Sequence, residues 1–202
     1  MANMVVSIRV VLVLALIQGF LGMGFQLVAS RLLAPHFGTT LIVWAFLIST
    51  FLAAFSLGAF FGGFVSRLPA PTQRKALICQ SIAGIAFFAL VAFAGRPILR
   101  VVEISFDAIW SGLAVSCALL FLVPVAALSG MLPVMAEALA KQGRSTGVSS
   151  GLIYGVSTFG NIIGVMATAF LLIPNFSTPE LLIGWFVVSL ACFGGIVRAV
   201  TR

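Results

Sequence analysis

Apolar residues run along this chain in six long segments, at about 5–33, 40–66, 76–94, 109–140, 150–170 and 178–197, with polar residues gathered in short breaks between them. A helix needs about 20 residues to cross a bilayer. Apolar runs of this length satisfy their backbone groups in lipid only as helices when no closed barrel is available. The pattern predicts an all-α polytopic membrane protein with six transmembrane helices. Three helices on each side of the middle also allow a 3+3 inverted repeat, because an odd number of crossings turns the second copy over.

Within the segments, small and polar residues predict which faces meet. In segment five, Gly151 and Gly155 fall on one side and Gly160 and Gly164 roughly opposite, so two close-packing faces place this helix centrally in the bundle. Ser150, Tyr154, Ser157, Asn161 and Thr168 form a polar edge between them, and Leu152, Phe159, Ile163, Met166 and Phe170 form a lipid edge. The polar edge reads either as hydrogen-bonding glue or as a ligand stripe. Segment one gathers Ala15, Gln18, Gly19, Gly22, Gln26 and Ala29 on one inward face. Segment two carries Ala45, Ser49, Leu52, Ser56, Ala59 and Gly63 down one side, expected to meet neighbours, with a separate Gly58/Gly62 pair.

Proline and glycine mark the interruptions. Pro35 and Gly38 end segment one beside His36, the only histidine, which reads as an interfacial residue without an acidic neighbour. Residues 97–107 are expected to form a short interfacial helix, because Arg96, Arg100, Glu103 and Asp107 share a face; a solvated loop is the other reading. Segment four, too long to cross directly, is expected to kink or break at Pro124 and at Ser129-Gly-Met-Leu-Pro133, either to pack or to line a transport site.

Composition narrows the class: 62% of residues are hydrophobic and 7% charged, which fits a single transmembrane domain over residues 1–202 and no soluble catalytic domain. The net charge of +7 does not point to nucleic acid, since Lys and Arg lie at segment ends. With six crossings, Arg9, Arg67, Arg74, Lys75, Lys141, Arg144, Arg198 and Arg202 share one side against Arg31, Arg96 and Arg100 on the other. That bias predicts cytoplasmic termini in a bacterial inner membrane. Glu137 is expected at the cytoplasmic surface, paired with a neighbouring base. Cys79, Cys117 and Cys192 sit singly in apolar runs, and no catalytic, cofactor or metal-ligand set is expected. The candidate polar interior is Gln18, Gln26, Tyr154, Ser157 and Asn161.

Four runs carry a resemblance: Ser30-Arg-Leu-Leu-Ala-Pro-His-Phe-Gly38, Leu57-Gly-Ala-Phe-Phe-Gly-Gly63, Gly130-Met-Leu-Pro133, and Leu152-Ile-Tyr-Gly-Val-Ser-Thr-Phe-Gly-Asn-Ile-Ile-Gly164 leading to Leu172-Ile-Pro174. They resemble the membrane domain of membrane-embedded spermidine-synthase-like proteins. In that family the membrane part leads into a soluble aminopropyltransferase-like domain that uses S-adenosylmethionine derivatives. These residues hold neither its Gly-x-Gly loop nor its carboxylate cluster, so no catalytic residue carries over. The family tends to have an acid where this chain has Gln26. A weaker resemblance, on Gly63-Phe-Val-Ser-Arg-Leu-Pro-Ala-Pro-Thr-Gln-Arg-Lys75, is to half of a major facilitator superfamily transporter. The resulting expectation is a non-enzymatic membrane subunit or anchor, bathed in lipid and acting with a protein partner or as a homo-oligomer. The alternative is a carrier of polyamine-like or related metabolites working as a dimer.

Overall fold

A computed structural model describes residues 7–201, and among them all regular structure is helical. Six helices are long and apolar enough to cross a membrane: α1 (Ile8–Phe37), α2 (Leu41–Ser66), α3 (Ala70–Ser105), α4 (Ile109–Ala140), α5 (Thr146–Asn175) and α6 (Thr178–Thr201). The chain is an all-α, multi-pass integral membrane protein. Successive crossings put the ends of α1, α3 and α5 on the face opposite the amino-terminal end of α1; these are called here the opposite and amino-terminal faces.

The turns follow local chemistry. Gly38 (φ 76°) and Gly143 (φ 91°) are the positive-φ residues among those described, and each precedes a capping hydroxyl. Thr40 accepts from the Val43 amide at 3.5 Å to open α2, and Ser145 accepts from the Val148 amide at 3.3 Å to open α5. Glu180 accepts from the Ser177 amide and hydroxyl, both at 2.7 Å, and so opens α6. As the sequence predicts, α4 is interrupted: a π-helical turn at Ala118–Leu122 stands before Pro124, and Gly130 separates two α-helical pieces. The proline ring clashes with the carbonyl four residues back, and the wider turn relieves that overlap. The same pairing recurs in α5, with a π turn at Thr168–Leu172 before Pro174.

The bundle centres on α1 and α4 instead of α5. Over an 18-residue apolar stretch of each helix, buried residues make up 61% in α4 and 50% in α1, against 22% in α5. The inward face expected on α1 is buried at all six positions. On α5 only one glycine face is used: a methyl group at Gly160 or Gly164 would collide with the carbonyl of Leu16 or Phe20 of α1, whereas Gly151 and Gly155 have open space beside them. Glycine permits close approach but does not compel it, and only the Gly160/Gly164 side finds a helix to approach. On α2, likewise, the Gly58/Gly62 pair presses on Ala126 and Gly130 of α4, but the side bearing Ala45, Ser49, Leu52 and Ser56 is exposed, contrary to expectation.

These contacts obey one rule. Gly160 and Gly164 of α5 meet the Leu16 and Phe20 carbonyls of α1; Gly58 and Gly62 of α2 meet the Ala126 and Gly130 carbonyls of α4. Gly19 of α1 meets the Ser157 carbonyl of α5, and Ser129 of α4 donates to the Phe55 carbonyl of α2 at 3.3 Å. Numbering advances by one constant step from α1 to α4 and by another from α2 to α5. This is the contact pattern of two three-helix halves related by a two-fold axis, with α3 and α6 paired beside it.

Residues 97–107 are not a separate interfacial helix. Pro97 and the charged residues up to Glu103 continue α3, which at 1.5 Å per residue is about 54 Å long and outruns a ~30 Å hydrocarbon layer. The charges sit on one face because that end of α3 projects beyond the apolar layer. Glu137 and Lys141 pair at 3.8 Å, as expected.

Candidate functional site

Four helices line a half-open pocket of about 170 Å³ in which polar groups are set among apolar ones, and the two-fold relation organises its walls. Gln18, Gly19 and Gly22 of α1 correspond to Leu128, Ser129 and Leu132 of α4, and Phe55 and Ala59 of α2 correspond to Ser157 and Asn161 of α5; all ten line the pocket, joined by Tyr154 and Thr158. Gly19 lets the α5 backbone press in, and Gly22 leaves room beside the Phe55 ring, so the absence of two side chains shapes the pocket. Counting residues, Gln18, Ser129 and Ser157 each lie about 15–18 Å from the amino-terminal face, half of a ~30 Å layer.

The polar groups of the pocket are uncharged. Gln18 Nε2 donates to the Leu128 carbonyl at 2.6 Å, while its Oε1 is buried without a hydrogen-bond partner among the described residues. Ser129 Oγ is shared among the Ala54, Phe55 and Ala126 carbonyls, each at 3.3 Å. Thr158 donates back to the Tyr154 carbonyl at 2.8 Å. The Tyr154 hydroxyl and the Asn161 amide bond to no described residue, so three side chains offer unused donors or acceptors to one space. A cavity of this size exceeds the ~150 Å³ that takes benzene in an engineered protein, and its lining suits a small polar molecule.

Beyond the pocket, toward the opposite face, the bundle interior is filled by rings. Phe25 touches Phe88 (centroids 4.9 Å), Phe121 (5.8 Å) and Phe51 (6.0 Å), and all four are fully buried. Phe51 in turn meets pocket-lining Phe55 at 6.4 Å. On α1, α2 and α4 these rings lie one to two turns from the pocket, toward the opposite face.

Of the five candidate residues, Gln18, Tyr154, Ser157 and Asn161 line this pocket together. Gln26 does not; it is buried two turns farther along α1. Thr168 is also apart, with a buried hydroxyl that has no partner among the described residues. The sequence reading missed Ser129 and Thr158. Ser129 stood in plain view within the Ser-Gly-Met-Leu-Pro break, where a helix interruption on the inner wall is a signal in its own right. His36 also differs from expectation: its Nδ1 lies 2.7 Å from Glu103 Oε2, a partner 67 positions away that spacing along the chain does not reveal. Among the described residues, no group of three or more His, Cys, Asp or Glu comes together as a metal site would require. No protein-family model, curated protein or solved structure matches this chain.

Proposed function

We propose that this chain is one half of a membrane carrier for a small, uncharged polar solute, with a second copy completing the translocation path. The observation that carries this reading is the pocket itself: mid-depth, bearing uncharged polar groups, and lined by corresponding positions of two related halves, where carriers built from repeats bind substrate. No Asp, Glu, Lys, Arg or His lines it, so a polyamine would bring several ammonium groups to a site without a carboxylate. A neutral hydrogen-bonding solute matches Gln18, Tyr154 and Asn161 better. The ring-filled interior supports a state shut toward the opposite face.

The need for a second copy rests on two exposed stripes. Ala45, Ser49, Ala53 and Ser56 on α2 correspond to Gly147, Gly151, Gly155 and Thr158 on α5, and the two stripes flank the pocket with no neighbour against them. Small residues at such positions let a further helix approach closely. The charge bias of the connections supports cytoplasmic termini in a bacterial inner membrane.

Uptake of radiolabelled neutral polar solutes into vesicles holding the purified chain tests the proposal. Saturable uptake that Asn161→Leu removes is the expected result. Vesicles that stay tight to every solute until a co-purified protein is added would instead favour the subunit reading, in which the exposed stripes receive a different membrane protein.

A further inference from the structure

At the far end of the bundle from the polar pocket, a second cavity of about 200 Å³ is lined by Arg31, Pro35 and His36 of α1, Arg96 and Arg100 of α3, and Thr178 at the start of α6. Seven of the described bases, Arg9, Arg67, Arg74, Lys75, Lys141, Arg144 and Arg198, belong to the amino-terminal face by helix count. The three that belong to the opposite face all line this one cavity. Topology alone asks only that a face be poor in positive charge; it does not ask that the remaining charges converge from different helices.

The guanidinium groups are neither neutralised nor saturated by the protein. Arg31 is half-buried and anchored, its Nη1 donating to the Ile173 carbonyl at 2.7 Å and the Phe176 carbonyl at 2.9 Å, which leaves the donors on Nε and Nη2 without a described acceptor. Arg96 and Arg100, one turn apart, have no carboxylate within ion-pair distance among the described residues. The nearest acid along α3, Glu103, is engaged by His36 at 2.7 Å. The ends of α1 and α6 at the rim carry opposite partial charges and offset one another, so the arginines set the field. Like charges facing one partly enclosed space repel, and a multivalent oxygen anion relieves that repulsion while accepting several forked donors at once.

We propose that this cavity binds a phosphate-type oxyanion, held by Arg31, Arg96 and Arg100 with the Thr178 hydroxyl beside it. The chemistry is shared by a free phosphate and by the phosphodiester of an anionic lipid. The site is separate from the polar pocket, and neither reading depends on the other.

Two arms distinguish the sources. The purified full chain in neutral detergent is dialysed against radiolabelled inorganic phosphate. The same chain in phosphatidylcholine nanodiscs containing phosphatidylglycerol is released and weighed by native mass spectrometry for retained lipid. Arg96→Gln with Arg100→Gln removes two exposed, unbonded side chains, so the fold is kept, as circular dichroism will register. The double variant is expected to lose about tenfold or more in affinity for the bound probe, since charge-assisted forks are the stronger hydrogen bonds. Arg67→Gln with Arg74→Gln on the other face leaves binding unchanged. Phosphate capture in detergent identifies a free anion, and retention of phosphatidylglycerol alone identifies a headgroup. If neither probe binds, or the double variant binds both as the wild type does, the proposal is overturned.

Discussion

Two glycines on α5, five residues apart, face opposite fates. A side chain at Gly160 meets the Leu16 carbonyl, which belongs to backbone and cannot swing away, whereas one at Gly155 meets nothing within 4 Å. Gly160→Leu should therefore destabilise the chain by about 1–3 kcal/mol or more, and Gly155→Leu should leave the thermal midpoint of the monomer unchanged in detergent. Equal midpoints for the two variants would contradict the α1–α5 packing. Asn161 makes the complementary case. Its amide bonds to no described residue, so Asn161→Ala should alter stability by less than about 0.5 kcal/mol while changing solute uptake. A large loss of stability with unchanged uptake would mark Asn161 as interhelical glue. Helical periodicity alone could place Gln18, Tyr154, Ser157 and Asn161 on inner edges, because a face follows from 100° per residue. It could not say which of two glycine faces would be covered, since that depends on a neighbour brought from far along the chain. For the same reason Gln26, on an equally convincing inward face, proved to lie away from the pocket.

At the scale of the helices, the sequence showed where apolar runs begin and end and where Pro124 interrupts one, but misjudged Pro35 and Pro97. Pro35 and Pro97 both lie within continuous helices, and only Pro124 and Pro174 coincide with widened turns. In α3 the missing amide at Pro97 deprives the Phe93 carbonyl of its partner, yet the helix continues because Gly95, Leu99 and Val102 are buried on its inner side and hold both parts to the bundle. Pro97→Ala restores that hydrogen bond at an exposed position. It should raise stability, read as a higher thermal midpoint, by up to the roughly 3 kcal/mol that an interior proline costs. A lowered midpoint would show that α3 is interrupted there. The aromatic cluster belongs to this scale too, because its rings come one each from α1, α2, α3 and α4. Phe121→Ala should cost about 3–5 kcal/mol as a core cavity. The milder Phe121→Leu should keep the fold while letting a thiol reagent added on the opposite face reach a cysteine introduced at Ser157. Unchanged protection of that cysteine would mean that the rings are packing only.

For the whole molecule, the two-fold correspondence was only a geometrical possibility in the sequence, because the halves share almost no residue identity. What they share is placement: a glycine pair against carbonyls one turn apart, a positive-φ glycine before a capping hydroxyl, and small exposed residues beside a polar wall. Different side chains meet the same steric requirement, which is why comparing letters fails to find it. On the proposed two-copy reading, the arrangement also determines how the second copy would sit. The α2 stripe and the α5 stripe lie on opposite sides of the pocket, and a dimer axis along the membrane normal through the pocket exchanges those sides. It follows that α2 of one copy faces α5 of the other, not another α2. In a background lacking Cys79, Cys117 and Cys192, membranes containing one chain with Ser56→Cys and another with Thr158→Cys should give a cross-linked heterodimer. Each single variant alone should give far less. Preferential Ser56→Cys homodimers would place the axis against α2 and separate the pocket from the interface. With no cross-link in any combination, and monomers on a calibrated column in mild detergent, the exposed stripes would have to be covered by a different protein.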